Sequence, residues 1–182
     1  VSSRSVQIIG GADRQHAYVD SKNNALTVQD EIHTKIHNGE FYTVGTAKEI
    51  AGDGVADFLI RVVSGAAHVR FLGTVAHNML ASLYERPTTS ADGVPLTVFN
   101  RNRFSSNTAT MLVFVGPTVT DPGTSLIDYF IPAGDKQTAS GGTGSSFEEW
   151  ILNPGDYIVR LSNNIISPAA SGYASLILDF YE

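Results

Sequence analysis

Along most of this chain, apolar side chains alternate with polar ones in short runs that are cut by Gly, Pro, Asn, Asp and Ser. A period of two puts successive side chains on opposite faces of an extended backbone, so each run predicts a β-strand with one face toward a core. Phe58, Ile60 and Val62 alternate with Asp57, Leu59 and Arg61, and Val69, Phe71 and Val75 alternate with His68, Arg70 and Thr74. Tyr157, Val159 and Leu161 stand against Ile158, Arg160 and Ser162. Ala174, Leu176, Leu178 and Phe180 close the chain against Ser175, Ile177, Asp179 and Tyr181. Thr108 to Val115 is apolar on both faces over much of its length, which predicts an inner strand. With Phe41–Ile50, Met79–Glu85, Leu126–Ile131 and Phe147–Leu152 the pattern gives about nine strands, many of them rich in β-branched and aromatic residues.

The separators carry turn chemistry. Asn38-Gly39, Asp53-Gly54, Asp92-Gly93 and Asn153-Pro154-Gly155-Asp156 tolerate positive φ or preset a turn. Val28, Ile32 and Ile36 fall on one face of a short helix over Thr27–Ile36, and are equally compatible with a strand. Pro132–Ser146 and Ser162–Gly172 read as long loops, and no internal repeat recurs at a fixed period. The fold expected is all-β: a two-sheet β-sandwich, most economically a jelly roll, over residues 28–182. Residues 1–27 have only brief apolar pairs, such as Ile8-Ile9 and Tyr18-Val19, and read as an extended N-terminal arm.

Composition narrows the function. With no cysteine, disulfides, thiolate metal sites and a cysteine nucleophile are excluded. No apolar run approaches the roughly 18–20 residues of a membrane helix, so no membrane is expected as partner. Val1–Gly11 has one arginine and no long apolar stretch, and does not read as a signal peptide. The net charge is −6, and residues 121–182, with eight acids and two bases, account for it. Nucleic acid requires a basic face, which this distribution does not supply; a neutral or basic partner suits the C-terminal third better.

Chemical signatures are sparse. His33 and His37 are four apart and share a face if the segment is helical, but Thr34 stands where a zinc protease carries its glutamate. His16, His68 and His77 have no partner spacing. Glu148 and Glu149 are adjacent and point to opposite faces of a strand, so they do not pair with each other, and a glycosidase site would need distant carboxylates such as Asp57 or Asp179 to converge. No G-x-S-x-G or phosphate loop is present; Gly141–Ser146 sits in a polar loop without a following helix. The expectation is a protein without enzymatic activity, metal or cofactor. Trp150 and Tyr18, Tyr42, Tyr84 and Tyr181 are spaced for core or inter-sheet packing rather than for a sugar platform. The one concentrated polar feature is Asn100-Arg101-Asn102-Arg103, framed by Phe99 and Phe104. It reads either as an interface patch or as a turn whose arginines pair with the acidic C-terminal third.

Four stretches, Ile32–Tyr42 (IHTKIHNGEFY), Val98–Phe104 (VFNRNRF), Pro154–Leu161 (PGDYIVRL) and Leu176–Glu182 (LILDFYE), resemble a group of small bacteriophage capsid-decoration, or cement, proteins. The resemblance runs from about Thr27 to the C-terminus and carries no catalytic residues. It implies a jelly-roll-like sandwich on the outer surface of a virion, bound to the major capsid protein and to itself as a homodimer or homotrimer. Candidate interface residues are Arg4, Ile8 and Ile9 in the arm and Asn100, Arg101, Asn102 and Arg103 in the turn. The alternative expectation is a phage receptor-binding or carbohydrate-binding β-sandwich module.

Overall fold

The alternating runs become strands at nearly the residues expected. The computed structural model describes residues 31–132, 149–163 and 171–182, and the backbone of 18–19 and 26–27. In chain order the elements are β1 (Tyr18–Val19), β2 (Leu26–Thr27), α1 (Glu31–Asn38), β3 (Phe41–Ile50), β4 (Val55–Val62) and β5 (Ala67–Val75). There follow β6 (Met79–Glu85), β7 (Thr88–Ala91), β8 (Val94–Pro95), β9 (Phe99–Asn100) and β10 (Leu112–Val115). The last are β11 (Thr118–Asp121), β12 (Thr124–Ile131), β13 (Trp150–Leu152), β14 (Gly155–Ser162) and β15 (Gly172–Tyr181).

Four antiparallel pairings define the topology: β3 with β15, β4 with β14, β5 with β13, and β6 with β12. The first half of the sandwich therefore folds back on the second as one long hairpin. Successive arms of that hairpin alternate between a six-stranded sheet, β12-β6-β14-β4-β10-β8, and a five-stranded sheet, β13-β5-β15-β3-β9. A hairpin wrapped in this way is a jelly roll. Its core is what the period of two selects: Phe58, Ile60, Val62, Val69, Phe71, Val159, Leu161, Leu176, Leu178 and Phe180 are all buried between the sheets. Of the arm assigned to residues 1–27, the described part is β1 paired with β2; Arg4, Ile8 and Ile9 lie outside the described residues, as do 133–148 and 164–170.

The tip of the hairpin, residues 86–123, is an insertion that folds back to extend both sheets. β10 pairs with β4, β8 with β10, and β9 with β3. β7 and β11 pair with each other as a separate ribbon. β6 ends beside the start of β14, where Arg86 N–H donates to the Asp156 carbonyl, and β10 ends beside the start of β4, where Gly116 N–H donates to the Asp57 carbonyl. The antiparallel β4 and β14 put those two points at opposite ends of the pair, so the ribbon joining them crosses the outer face of the six-stranded sheet diagonally. Asp92, just after β7, reaches Arg61 on that face.

This insertion contains a two-copy repeat that a search for a recurring period does not register. Tyr84–Leu96 and Phe114–Leu126, thirty positions apart, each run from an aromatic residue through a Pro-Thr pair to a glycine. Arg86 and Gly116 have φ of 57° and 69°, and Gly93 and Gly123 have φ of 90° and 85°. A Cβ on Gly93 would stand 2.5 Å from the Val115 carbonyl oxygen, and one on Gly123 2.2 Å from that of Glu85, so both turns demand glycine. The copies are related by a pseudo-twofold that also exchanges β4 with β14 and β12 with β8.

Two expectations need correction. The helix spans Glu31–Asn38, not Thr27–Ile36, and Leu26–Thr27 is strand. Its end is fixed at Gly39, whose φ of 71° admits the bonds Gly39 N–H to Ile36 C=O and Glu40 N–H to Lys35 C=O. The inner strand read over Thr108–Val115 is shorter, Leu112–Val115, and only the two-residue β8 lies beyond it.

Candidate functional site

Three of the four stretches that carry the resemblance converge on one corner of the sandwich, at the β3–β9 edge of the five-stranded sheet. Asn100 is buried there and its side chain spends every polar atom on the chain itself. Nδ2 donates to the carbonyls of Gly39 (2.8 Å) and Asn107 (3.1 Å), and Oδ1 accepts from Asn102 N–H (2.9 Å). Asn102 repeats the device one step on: Nδ2 donates to the His37 carbonyl (2.9 Å) and Oδ1 accepts from Phe104 N–H (3.1 Å). These two Asx turns weld the loop to the end of α1 and fix the direction of the residues between them.

The arginines behave differently from each other. Arg101 pairs with Asp179 of β15 (3.2 Å), and its guanidinium lies 5.3 Å from the ring centroid of Phe41. The expectation that an arginine of this turn pairs with the acidic C-terminal third therefore holds for Arg101. Arg103 turns outward, 5.7 Å from the centroid of the Phe99 ring, and Phe104 beside it is fully exposed. Asn100 is thus structural, Asn102 and Arg101 largely so, and Arg103 with the two phenylalanines forms the surface.

The same end of the five-stranded sheet, toward its opposite edge at β13, holds a polar cluster that spacing does not announce. Glu149, just before β13, accepts from Tyr181 O–H (2.8 Å) and Arg70 Nη2 (3.1 Å) and lies 2.7 Å from His68 Nδ1. His68 stacks on Tyr181 with centroids 4.4 Å apart, and Lys35 Nζ stands 5.4 Å from the centroid of the Tyr181 ring. The His68 bond, helped by Tyr181 and Arg70, holds the Glu149 carboxyl below the usual carboxylate range. Burial and the Glu149 bond push the Tyr181 hydroxyl well above its ordinary value. Glu149 is therefore a tie between β5, β13 and β15, and only the register of β5 with β13 and β15 brings its partners together.

Other residues noted in the sequence are held apart. Asp57 forms a two-bond ion pair with Arg160 (2.7 and 2.9 Å) on the outer face of the six-stranded sheet, whereas Asp179 lies on the other sheet, so these carboxylates do not converge. The rings of His33 and His37 share one face of α1 with centroids 4.5 Å apart. No group of three or more metal-ligating side chains occurs among the described residues. Trp150 is half-buried against the core and, with Phe71, Leu83 and Ile127, lines a narrow apolar cleft between the sheets. Tyr42 and Tyr181 are buried, and Tyr84 is covered by Arg160, 5.8 Å from its centroid.

Comparison of the chain with protein-family models, with curated proteins and with solved structures found no match. What the fold and this corner define is a class: a jelly-roll sandwich that carries, among the described residues, a braced surface turn.

Proposed function

We propose that this chain is a structural virion protein that binds the outside of a phage capsid lattice and stabilises it. The observation that carries the reading is the convergence of Ile32–Tyr42, Val98–Phe104 and Leu176–Glu182. Three of the four stretches on which the resemblance rests lock this corner together, which supports reading them as one unit of the fold. The corner presents Phe99, Arg103 and Phe104 on a backbone braced by five side-chain-to-backbone bonds from Asn100 and Asn102. A braced loop loses little entropy on docking, and a lattice multiplies each modest contact.

The sugar-binding alternative has less support, because Trp150, Tyr42, Tyr84 and Tyr181 are packed or covered and the exposed aromatics at the corner are phenylalanines. Co-sedimentation of the purified protein with undecorated phage heads tests the reading. Saturable binding at a fixed ratio to the major capsid protein is expected. Absence of binding, with retention on a glycan array, would replace it with the carbohydrate-binding alternative. Arg4, Ile8 and Ile9 belong to the same proposal: deletion of Val1–Gly11 is expected to weaken attachment while the sandwich stays folded.

A further inference from the structure

The two edges of the sandwich carry complementary surfaces. At the β9 edge, Phe104 is fully exposed and Phe99 half-exposed, with Arg103 between them. Arg103 makes no ion pair among the described residues. At the other edge β12 ends the six-stranded sheet, and Leu126, Asp128 and Phe130 alternate onto its outer face, all exposed. Leu80, opposite Phe130 in the register, continues the apolar strip. Asp128, too, has no ion pair among the described residues. An eight-residue edge strand with an exposed apolar face invites pairing and is normally covered.

These surfaces cannot meet within one copy. β12 lies beside β13, since Ile127 and Trp150 line one cleft, and β13 is the edge of the five-stranded sheet farthest from β9. Each surface offers one charge without an ion-pair partner among the described residues, and the two are of opposite sign: Arg103 on the turn and Asp128 on the β12 face. We infer that the Phe99–Arg103–Phe104 turn of one copy docks on the Leu126–Asp128–Phe130 face of a second copy, with Arg103 opposite Asp128. The contact joins unlike surfaces and is therefore head-to-tail; it closes into a ring or runs on as a chain according to the rotation between copies. It assigns to contact between copies the turn that the capsid reading offers to the lattice, so that in the assembly the capsid is met by other surfaces.

The test is the solution mass of the full chain by sedimentation over a wide concentration range, without capsids, so that its outcome is separate from that of the capsid reading. Wild-type protein is expected above the single-chain mass. Arg103→Asp and Asp128→Arg are each expected to weaken association by about tenfold or more, and the double variant to restore it. Phe104→Ser is expected to weaken it without rescue by either charge change. All three positions concerned are exposed, so thermal melts of the variants check that the fold is intact. A single-chain mass at every concentration overturns the inference, as does an assembly indifferent to both single changes. Disruption by both singles without recovery in the double also overturns it, because Arg103 and Asp128 would then not face each other.

Discussion

Leu59 and Ile158 stand directly opposite each other in β4 and β14 and both are fully buried, although they face away from the main core. Phe114 and Tyr84 flank them in the same row across the sheet. Arg61 lies 5.7 Å over the Phe114 ring and is tied to Asp156 and Asp92; Arg160 lies 5.8 Å over Tyr84 and is tied to Asp57. The two nests are related by the pseudo-twofold, and the β7–β11 ribbon crosses over them. The sandwich therefore has a second, smaller core on the outside of one sheet.

Leu59→Ala should consequently cost as much as a change in the main core, about 2–4 kcal/mol, because a cavity opens under a ribbon that is held at both ends. Urea unfolding of this variant beside Leu178→Ala checks it. A loss below about 1 kcal/mol, as for an exposed strand position, would mean that the ribbon does not seal this face.

Asn100 and Arg103 should separate stability from surface. Asn100→Ala removes a side chain that satisfies two carbonyls and one N–H in a buried setting, and about 1–3 kcal/mol of stability should go with it. Arg103→Ala, with its side chain in solvent, should stay within about 0.5 kcal/mol of wild type. Thermal denaturation of both proteins is the check, and equal losses would contradict the division of roles within the turn.

Acid should weaken the Glu149 tie in a defined direction. Its folded pKa lies below the ordinary value of 4.5 because of His68 first, then Tyr181 and Arg70. A carboxylate so stabilised contributes fully above that ordinary value, and the contribution fades as pH falls through the folded pKa. Glu149→Gln should therefore be less stable than wild type at neutral pH, with the gap narrowing on acidification below about pH 4.5. The measurement is the denaturant midpoint of both proteins against pH. A gap that does not change with pH would assign the role of Glu149 to packing instead of charge.

How much of this was legible in the sequence depends on the range of the interaction. The inward residues of β4, β5, β14 and β15 were legible because burial imposes a period of two on residues close in the chain. The turn glycines at 39 and 93 were legible for the same local reason. The helix was misplaced because Val28, Ile32 and Ile36 satisfy both periods; what ends it is the geometry at Gly39, where a Cβ would stand 2.1 Å from Ser105 Oγ, a contact across more than sixty residues. The Glu149 cluster was illegible because its members come from β5, the segment before β13, and β15, which only sheet register makes neighbours. The repeat in the insertion carried a signal, the paired Pro-Thr and glycine positions, but two copies make an offset and not a period. Of the Asn100–Arg103 turn, its prominence was readable from composition; which of its side chains look inward was not, since that is decided by the carbonyls of Gly39 and His37.

The most direct measurement of the central claim is the temperature at which filled phage heads release their DNA, with and without the bound protein. The account predicts that release shifts to higher temperature as occupancy rises and stops shifting when binding saturates. Release at an unchanged temperature from fully occupied heads would contradict it, leaving a surface-bound protein that does not stabilise the lattice.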